Sequence, residues 1–213
     1  MNYDYMKRAT DIVLSLTLLI FFFPILLITA VALLITSPGP VFADTPKRVG
    51  KGGKLFYPYK FRSMIVNAYE LLKTDPKFKK AYEEQQKRGN YKIMNDPRVT
   101  PVGKIIRKYS IDEIPQLVNV LKGEMSLIGP RPYYPEELDN QQKKYPKTRE
   151  SVSRVLSIKP GITGLWQVSG RSELPFNKRI ALDAYYSKEK SLFLDVKILA
   201  KTPWAMVSGK GAV

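Results

Sequence analysis

The chain contains neither histidine nor cysteine among its 213 residues. Without cysteine it has no disulfide framework, no thiol nucleophile and no cysteine-based zinc site, which fits a reducing compartment. Without histidine it lacks the usual general base and the usual transition-metal ligand. Any catalysis must therefore use carboxylates, lysine, arginine, tyrosine or a hard cation bound through oxygen.

Acidic residues are scarce relative to basic ones. Lysine and arginine number 35 against 19 aspartates and glutamates, which gives a formal charge of +16. This excess indicates anionic partners, namely nucleic acid, acidic lipid headgroups or phosphorylated substrates. The length fits one globular domain with an additional segment.

Charge is absent altogether between Ile12 and Ile35, a largely apolar run of about 24 residues that is long enough to cross a hydrocarbon core. Three structures compete for this run: a single-pass helix, a signal peptide cleaved near Val41-Phe42-Ala43, and a hairpin that enters and leaves by the same membrane face. The run is too long for the apolar region of a signal peptide.

The flanks of the run favour the hairpin. Cations lie on both sides of it: Lys7 and Arg8 before, and Lys47, Arg48, Lys51 and Lys54 after. The positive-inside tendency pulls both ends to the cytoplasm. Pro24 lies near the middle and divides the run into halves that are each too short to span a bilayer. We therefore predict a re-entrant helix-break-helix over residues 1–40, with an ordinary kinked transmembrane helix as the alternative.

Residues 41–213 are predicted to form one cytosolic, helix-rich mixed α/β domain with short strands and amphipathic interfacial helices. The predicted strands are Val41–Ala43 and Leu55–Phe61, around a turn at Gly50–Gly53, and Ser126–Ile128. The predicted helices cover Asn67 to about Arg88, a segment after Pro101 with Val102, Ile105, Ile106 and Tyr109 on one face, Ile114 to Leu121, Phe176 to Tyr186, and a stripe from Leu192 to Trp204. That last stripe suits a membrane interface, although packing on the domain is the commoner outcome.

The stretch Ser110-Ile111-Asp112-Glu113-Ile114-Pro115-Gln116 places two adjacent carboxylates among cationic residues. One interpretation is a capping box, in which Ser110 and Glu113 satisfy the first turn of a helix. The other is a phosphate site, where a helix N-terminus keeps Asp112 ionised as a nucleophile or a metal ligand. The two are compatible.

Two later stretches are rich in proline and glycine. In Gly129-Pro130-Arg131-Pro132 the prolines restrict the backbone, so that the guanidinium could be held for bidentate phosphate binding; the alternative is a rigid turn with a solvated arginine. The stretch from Lys159 to Arg171 carries glycines that would let the backbone approach a ligand closely.

Several motifs together resemble the bacterial sugar transferase family, the monotopic phosphoglycosyl transferases, from Lys7-Arg8 to about Thr202. They are Lys60-Phe61-Arg62-Ser63-Met64, Asp96-Pro97-Arg98-Val99-Thr100, the Ser110–Gln116 stretch, Gly129–Pro132, Lys159–Gly164 and Leu182-Asp183-Ala184-Tyr185-Tyr186. The resemblance implies transfer of a sugar-1-phosphate from a UDP-sugar to a polyprenyl phosphate such as undecaprenyl phosphate, with release of UMP. It thereby implies the first step in assembling a glycoconjugate, such as a capsule, O-antigen, exopolysaccharide or glycoprotein glycan, at the cytoplasmic face of the inner membrane.

The resemblance also implies the membrane structure and the partners. It implies a re-entrant helix in a bilayer with anionic headgroups, no nucleic acid, and is compatible with a homodimer. Phe23-Pro24 departs from the Ser-Pro often found at the family's break, so the bend is expected to be less sharp. The chain looks like a minimal catalytic form.

Site residues follow from the resemblance position by position. Asp112 would be the nucleophile that forms a phosphosugar-aspartyl intermediate, and Glu113 the ligand of Mg²⁺ (or Mn²⁺) or a base. Phosphate-binding residues would be Lys60, Arg62, Arg107 and Arg131, the last held between Pro130 and Pro132. Asp183 matches a further functional carboxylate at the substrate site.

Three other function classes fit the sequence less well. A glycosidase needs carboxyl groups about 5 to 9.5 Å apart across a sugar, and adjacent residues do not provide this. A membrane-tethered basic module that binds nucleic acid or anionic lipid without catalysis would explain the charge, but the aromatic residues follow no single-strand-binding pattern. A non-catalytic membrane scaffold gives no reason for the carboxylate and arginine motifs.

Overall fold

The computed structural model describes residues 3–88, 93, 95–170 and 174–207, without the side chains of residues 86–88, 206 and 207. The helices are α1 Tyr3–Thr36, α2 Ala68–Thr74, α3 Lys79–Arg88, α4 Pro101–Lys108, α5 Gln116–Lys122, α6 Pro135–Lys144, α7 Arg149–Leu156, α8 Leu165–Val168, α9 Phe176–Glu189 and α10 Leu192–Val207. The strands are β1 Arg48–Val49, β2 Leu55–Phe56, β3 Ser126–Ile128 and β4 Gly161–Thr163. Three-residue 3-10 turns cover Lys51–Gly53, Pro76–Phe78, Ile111–Glu113 and Pro146–Thr148. The predicted helix-rich mixed class is confirmed.

The apolar run forms a single helix. α1 is continuous from Tyr3 to Thr36 with Pro24 inside it, so the predicted break into two helices is not observed. Proline removes one hydrogen bond, to the Ile20 carbonyl, and apolar helices tolerate that loss. Within the described part of the chain α1 is the one helix long and apolar enough to cross a membrane. Whether it bends back within the bilayer stays a prediction.

Both halves of α1 contact the same globular body. Near its start, Arg8 donates hydrogen bonds to the carbonyls of Val120 and Leu121 at 2.6 and 2.8 Å, at the end of α5. Near its end, Leu33 is fully buried in a cluster that includes Phe61. Between these contacts α1 exposes a row of large apolar side chains: Ile20, Phe21, Phe23 and Ile28 are each more than 60% exposed.

The predicted hairpin around the glycine turn is confirmed, but its first strand is shifted and its second strand ends at Phe56 instead of Phe61. β1 and β2 pair antiparallel on either side of the Lys51–Gly53 turn. The first strand is Arg48–Val49 instead of Val41–Ala43. Phe42 instead makes an isolated bridge to Phe61, and the two rings stack with centroids 5.6 Å apart.

A buried parallel pair of strands lies behind the proline-rich turn. β3, confirmed where it was predicted, pairs with β4 through Ser126 to Gly161 and Ile128 to Thr163. The two backbones approach so closely that a Cβ on Gly161 would collide with the nitrogen of Gly129. The Gly161 N–H donates to the Pro130 carbonyl at 2.8 Å, which ties the turn to β4.

The apolar stripe predicted from Leu192 to Trp204 lies on helix α10, where part of it is buried against the domain and part is exposed. Ile198 is buried against the domain, whereas Phe193, Val196 and Trp204 are 65 to 81% exposed. An exposed apolar face beside lysines is typical of an interfacial helix. The helix predicted from Phe176 is confirmed as α9, which carries the fully buried Tyr186.

Helix α4 has a narrower buried face than predicted. Ile106 is buried, but Ile105 and Tyr109 are 59 and 58% exposed. The helix has only eight residues, so only a narrow stripe of it meets the domain. The predicted helical region from Asn67 is present as α2 and α3, and Tyr69 on α2 borders the cleft described next.

Candidate active site

A cleft of about 1910 Å³ contains most of the predicted site residues. Its wall includes Lys60, Arg62, Arg107, Asp112, Glu113, Arg131 and Pro132. It also includes apolar side chains of α1 and α10, namely Leu14, Leu18, Phe22, Leu199 and Pro203. Pockets for one small ligand usually measure about 300 to 1,000 Å³. The cleft is therefore larger than a usual pocket for one small ligand, and its wall is partly charged and partly apolar.

Asp112 lies in the 3-10 turn between α4 and α5 and is 8% exposed. Its carbonyl accepts a hydrogen bond from the Phe61 N–H at 3.1 Å. This bond aligns the segment that carries Lys60 beside the two carboxylates. Residues about 50 positions apart in sequence thereby form one site.

The capping-box interpretation is wrong. Ser110 has φ of +55°, in the left-handed region, and its side chain makes no capping hydrogen bond. An N-cap residue needs an extended backbone to reach the N–H two or three residues on. The following helix starts only at Gln116, and Glu113 binds Lys60 instead.

The expected helix N-terminus does not lie at Asp112, because this residue is in the 3-10 turn and α5 starts only at Gln116. Burial raises the pKa of Asp112 to about 6, although the cations of Lys60 and Arg107 oppose this shift. The Glu113 carboxylate adds to the rise. A carboxylate that is costly to ionise is a stronger nucleophile once ionised, because it gives up less solvation on attack.

Glu113 and Lys60 form a direct ion pair. The Lys60 ammonium lies 2.5 Å from Glu113 Oε1, with side chains 22 and 38% exposed. A charge-assisted bond of this length orients both groups at the cleft surface. Lys60 thus carries positive charge within reach of both carboxylates.

The carboxylate pair fits a magnesium ion only in part. Within the described ranges no group of three or more acidic residues is clustered as a metal site. Mg²⁺ is commonly bound by one or two carboxylates and completes its shell with substrate phosphates and water. Asp112 and Glu113 match that pattern and would not form an all-protein cage.

A hydrogen bond to Ser63 orients the side chain of Arg107. Its Nε donates to Ser63 Oγ at 2.9 Å, while Thr100 and Ser63 are joined by a backbone hydrogen bond of 3.1 Å. The guanidinium keeps donors for a ligand, and it lines the cleft near Asp112. This position suits the predicted phosphate contact.

Arg62 occupies a different role from the one predicted. It is 4% exposed and donates to the carbonyls of Ser37, Pro38 and Pro40 at 2.6 to 2.7 Å, and to Ser37 Oγ at 3.0 Å. Four of its five donors are therefore used. The geometry favours Arg62 as a clamp on the chain that leaves α1, and phosphate binding by this residue stays only a prediction.

The turn Pro130-Arg131-Pro132 presents Arg131 to the cleft, and the alternative of a solvated arginine is wrong because its side chain is only 14% exposed. Asp183 lies behind the turn, fully buried. Its Oδ2 accepts from the Arg131 backbone N–H at 3.2 Å and from the Tyr133 hydroxyl at 3.0 Å. Burial raises the pKa of Asp183 to about 7.

Asp183 is thus outside the cleft wall and acts on the turn, which differs from the predicted substrate contact. Pro130 is likewise behind the wall, where its carbonyl anchors the turn to β4. Pro24 lies on α1, away from the site residues of the cleft. The remaining predicted residues are brought together as expected. Arg171, at the end of the glycine-rich stretch, falls outside the described residues.

Several cleft residues were missed by sequence reasoning. Arg48 stacks on Tyr134, with its guanidinium carbon 3.2 Å from the ring centroid, and Tyr69 lies nearby. Trp166 lies 5.3 Å from the Arg131 guanidinium. Trp166 belongs to the Lys159–Arg171 stretch and Tyr134 follows Pro132 by two residues, so position in or next to those motifs was an available signal. Arg48 and Tyr69 had none.

Comparison with known proteins gives a consistent assignment. The family model described as bacterial sugar transferase matches residues 2–209. Over 211 residues the chain is 42% identical to an uncharacterized sugar transferase of Haemophilus influenzae, covering 97% of this chain and 42% of that protein. Over 212 residues it is 42% identical to the undecaprenyl-phosphate galactose phosphotransferase of Salmonella typhimurium, covering 98 and 42%.

A shorter relative is aligned over most of its own length. The exopolysaccharide production protein ExoY of Rhizobium meliloti is 37% identical over 207 residues, which cover 97% of this chain and 87% of that protein. The chain thus spans less than half the length of the first two relatives. From the family match over nearly all of its residues, we conclude that the chain belongs to the bacterial sugar transferase family.

Proposed function

We propose that this protein transfers a sugar-1-phosphate from a UDP-sugar to a polyprenyl phosphate, such as undecaprenyl phosphate, and releases UMP. The observation that carries the proposal is the buried carboxylate of Asp112, in a cleft shared by cationic and apolar side chains. With no histidine or cysteine in the chain, a carboxylate is the nucleophile that the composition offers. The names of relatives that act on undecaprenyl phosphate point to the same reaction.

The reaction proceeds in two displacements at one phosphorus atom. An oxygen of Asp112 attacks the sugar-bearing phosphorus, the bond to the UMP phosphate breaks, and UMP leaves with the electron pair. A phosphate oxygen of the polyprenyl phosphate then attacks the same phosphorus and displaces Asp112. Lys60, Arg107 and Arg131 stabilise the charge that develops on the phosphates.

Glu113 and Asp112 would hold a Mg²⁺ ion together with substrate oxygens. When bound, the ion neutralises the diphosphate charge that would otherwise repel the attacking carboxylate. Lys60 is placed to keep Glu113 in position for this contact through their 2.5 Å ion pair.

The lipid substrate would approach along the apolar wall. Leu14, Leu18 and Phe22 of α1 and Leu199 of α10 line the same cleft as the charged residues. A polyprenyl chain that lies against these side chains would keep its phosphate near Asp112. The exposed faces of α1 and α10 would then lie in the cytoplasmic leaflet of the inner membrane.

We also propose that α1 is re-entrant. Its support is that both ends of α1 contact the one domain that carries the site, through Arg8 and Leu33. A straight helix of 34 residues would measure about 50 Å. Were it to span a bilayer, its second end would lie on the far side, away from that domain.

The decisive experiment traps the intermediate. Purified protein is incubated with a panel of UDP-sugars labelled in the sugar, without polyprenyl phosphate. We expect UMP release no greater than one per protein and label on a peptide containing Asp112; adding undecaprenyl phosphate should move the label to the lipid. Label on Glu113 or Asp183, or steady UMP release without lipid, would contradict the mechanism.

The same purified protein also tests the alternative function, which is binding of nucleic acid or anionic lipid without catalysis. A membrane-tethered basic module would retain oligonucleotides in a salt-dependent manner and release no UMP. We expect the protein to release UMP at 0.15 M salt, and added oligonucleotide should not inhibit this release.

A further inference from the structure

Arg131 is held from behind by an ion pair that no motif predicted. Its Nη2 lies 3.9 Å from Glu137 Oε2, and the Glu137 side chain, in the first turn of α6, is completely buried. The distance is too long for a hydrogen bond, so the Arg131 donors remain available while its position is set by charge and by packing against Trp166. Arg131 therefore faces the cleft, and its ion pair with Glu137 does not use the N–H donors of its guanidinium.

Glu137 is shared between two arginines. Its Oε1 lies 3.4 Å from Nη2 of Arg179 on α9, whose side chain is 5% exposed and which does not line the cleft. A buried carboxylate costs several kcal/mol unless cations surround it, and here two guanidinium groups do so. The pair Glu137 and Arg179 forms a fixed support that joins α6 and α9 behind the turn.

Within the described part of the chain, several buried polar atoms around Arg131 and Glu137 lack hydrogen-bond partners. Arg131 Nε, Arg179 Nε, Trp166 Nε1 and Glu137 Oε2 are all buried without a hydrogen-bond partner among the described residues. Such atoms are rare in a packed interior unless a ligand or water completes them. Arg131 Nε, next to the cleft, is thus left for an incoming acceptor.

We propose that Glu137 is a positioning residue, which acts through Arg131 to aim its guanidinium at the diphosphate of the nucleotide substrate. The identity of that substrate rests on the function proposed above. The Asp183 carboxyl, whose pKa is about 7, is partly protonated at neutral pH and cannot supply the full negative charge itself. Glu137 is then the charge that keeps Arg131 and Arg179 from repelling one another.

The test uses Trp166 as a local reporter. The chain has two tryptophans, so Trp204→Phe leaves Trp166 as the sole tryptophan. In that background we compare Glu137→Gln with Glu150→Gln, which removes the carboxylate of an exposed pair with Arg154. Acrylamide quenching of Trp166 without ligand should increase for Glu137→Gln, as Arg131 leaves the ring, and stay unchanged for Glu150→Gln.

Titration with UDP gives the second readout. Glu137→Gln should weaken UDP binding by about tenfold, within the range of coupling between contacting residues. Loss of a negative charge near the site would by itself tighten anion binding, so weaker binding reports the lost position of Arg131. In a double-mutant cycle with Arg131→Lys, the double variant should bind no more weakly than the weaker single variant.

If Glu137→Gln fails to fold, Glu137→Gln/Arg179→Gln removes one charge of each sign and leaves no unpaired cation from this pair. This variant should fold and still bind UDP about tenfold more weakly. Unchanged or tighter UDP binding, additive effects in the cycle, or unchanged quenching would overturn the proposal. Failure of the wild-type protein to bind UDP would instead overturn the proposed function, because the quenching test needs no ligand.

Discussion

Asp112, the proposed nucleophile, lies in an environment that is unfavourable for its charge. Its pKa of about 6, against 3.8 for an exposed aspartate, means that the folded protein binds a proton there more tightly than the unfolded chain. The free energy of unfolding therefore decreases as pH rises from about 4 to about 6. At neutral pH the folded state carries the full cost of the buried charge.

We expect Asp112→Asn to raise the free energy of unfolding of the metal-free protein at pH 7 by roughly 1–3 kcal/mol. The gain should disappear below about pH 4, where the aspartate is protonated in both states. Denaturant unfolding in detergent at several pH values measures this. Asp139→Asn, at an exposed site on α6, is the control and should change little. A variant less stable than wild type at pH 7 would refute the argument.

Glu113 is expected to differ from Asp112 in how its loss can be repaired. Glu113→Gln removes one ligand charge and the Lys60 pair, so turnover should fall and recover in part with excess Mg²⁺. Asp112→Asn should lose at least about a thousandfold in turnover at any Mg²⁺ concentration. Initial rates across a Mg²⁺ titration give the comparison, and equal rescue of both variants would place the nucleophile elsewhere.

At the scale of elements, Arg62 joins α1 to the domain through the carbonyls that follow the helix. Arg62→Lys cannot satisfy four acceptors in that geometry, so we expect a loss of about 2–4 kcal/mol in the free energy of unfolding with little change in KM for the UDP-sugar. Arg154→Lys, in an exposed pair, should cost less than about 1 kcal/mol. A raised KM with unchanged stability would instead support phosphate binding by Arg62.

The membrane topology of the protein depends on whether α1 is re-entrant or spans the bilayer. The chain has no cysteine, so Tyr5→Cys in the first turn of α1 and Lys51→Cys beyond its end, both at exposed positions, provide single probes near the two ends of the helix. For a re-entrant helix both should resist a membrane-impermeant thiol reagent in intact cells and react after permeabilisation. Labelling of only one probe in intact cells would establish a spanning helix.

At the scale of the whole molecule, a strongly cationic protein is combined with two exposed apolar helix faces, on α1 and α10. This combination favours an anionic membrane surface, where the apolar faces bury and the cations meet headgroups. The cleft opens between charged loops and these helices. A water-soluble nucleotide-sugar and a membrane-bound phosphate could thus meet at Asp112.

Removal of divalent cations with a chelator tests whether the site needs a metal ion to neutralise the charge of its carboxylates and substrate. We expect turnover to stop in excess EDTA and to return on addition of Mg²⁺ or Mn²⁺, because in the proposed reaction a diphosphate approaches the carboxylate pair. Circular dichroism should show that EDTA leaves the fold intact, which separates lost catalysis from lost structure. Full turnover in EDTA would show that Lys60 and the arginines are sufficient without a metal.

The sequence by itself determined the elements whose cause is local. The helix from Phe176 and the strand from Ser126 depend on neighbouring residues and appear where they were predicted, and the apolar run and the glycine turn are also present, although the run is unbroken and the hairpin strands differ in their bounds. The motif residues of the cleft were also identified, because Asp112, Glu113 and Arg131 belong to short patterns of chemical meaning. The shift of the first hairpin strand shows the limit: Arg48, which pairs with Phe56, also stacks on Tyr134, a contact far along the chain that the local sequence does not indicate.

The tertiary structure decided the charge and the role of those residues. Whether Asp112 is ionised depends first on its burial and on Lys60, some 50 residues away, and less on the adjacent Glu113. Arg62 is occupied by carbonyls after α1, and Glu137 faces two arginines from other elements. Electrostatic interactions depend on distance and solvent exposure in space, so a pattern along the chain can name the reacting groups but cannot set their charge states.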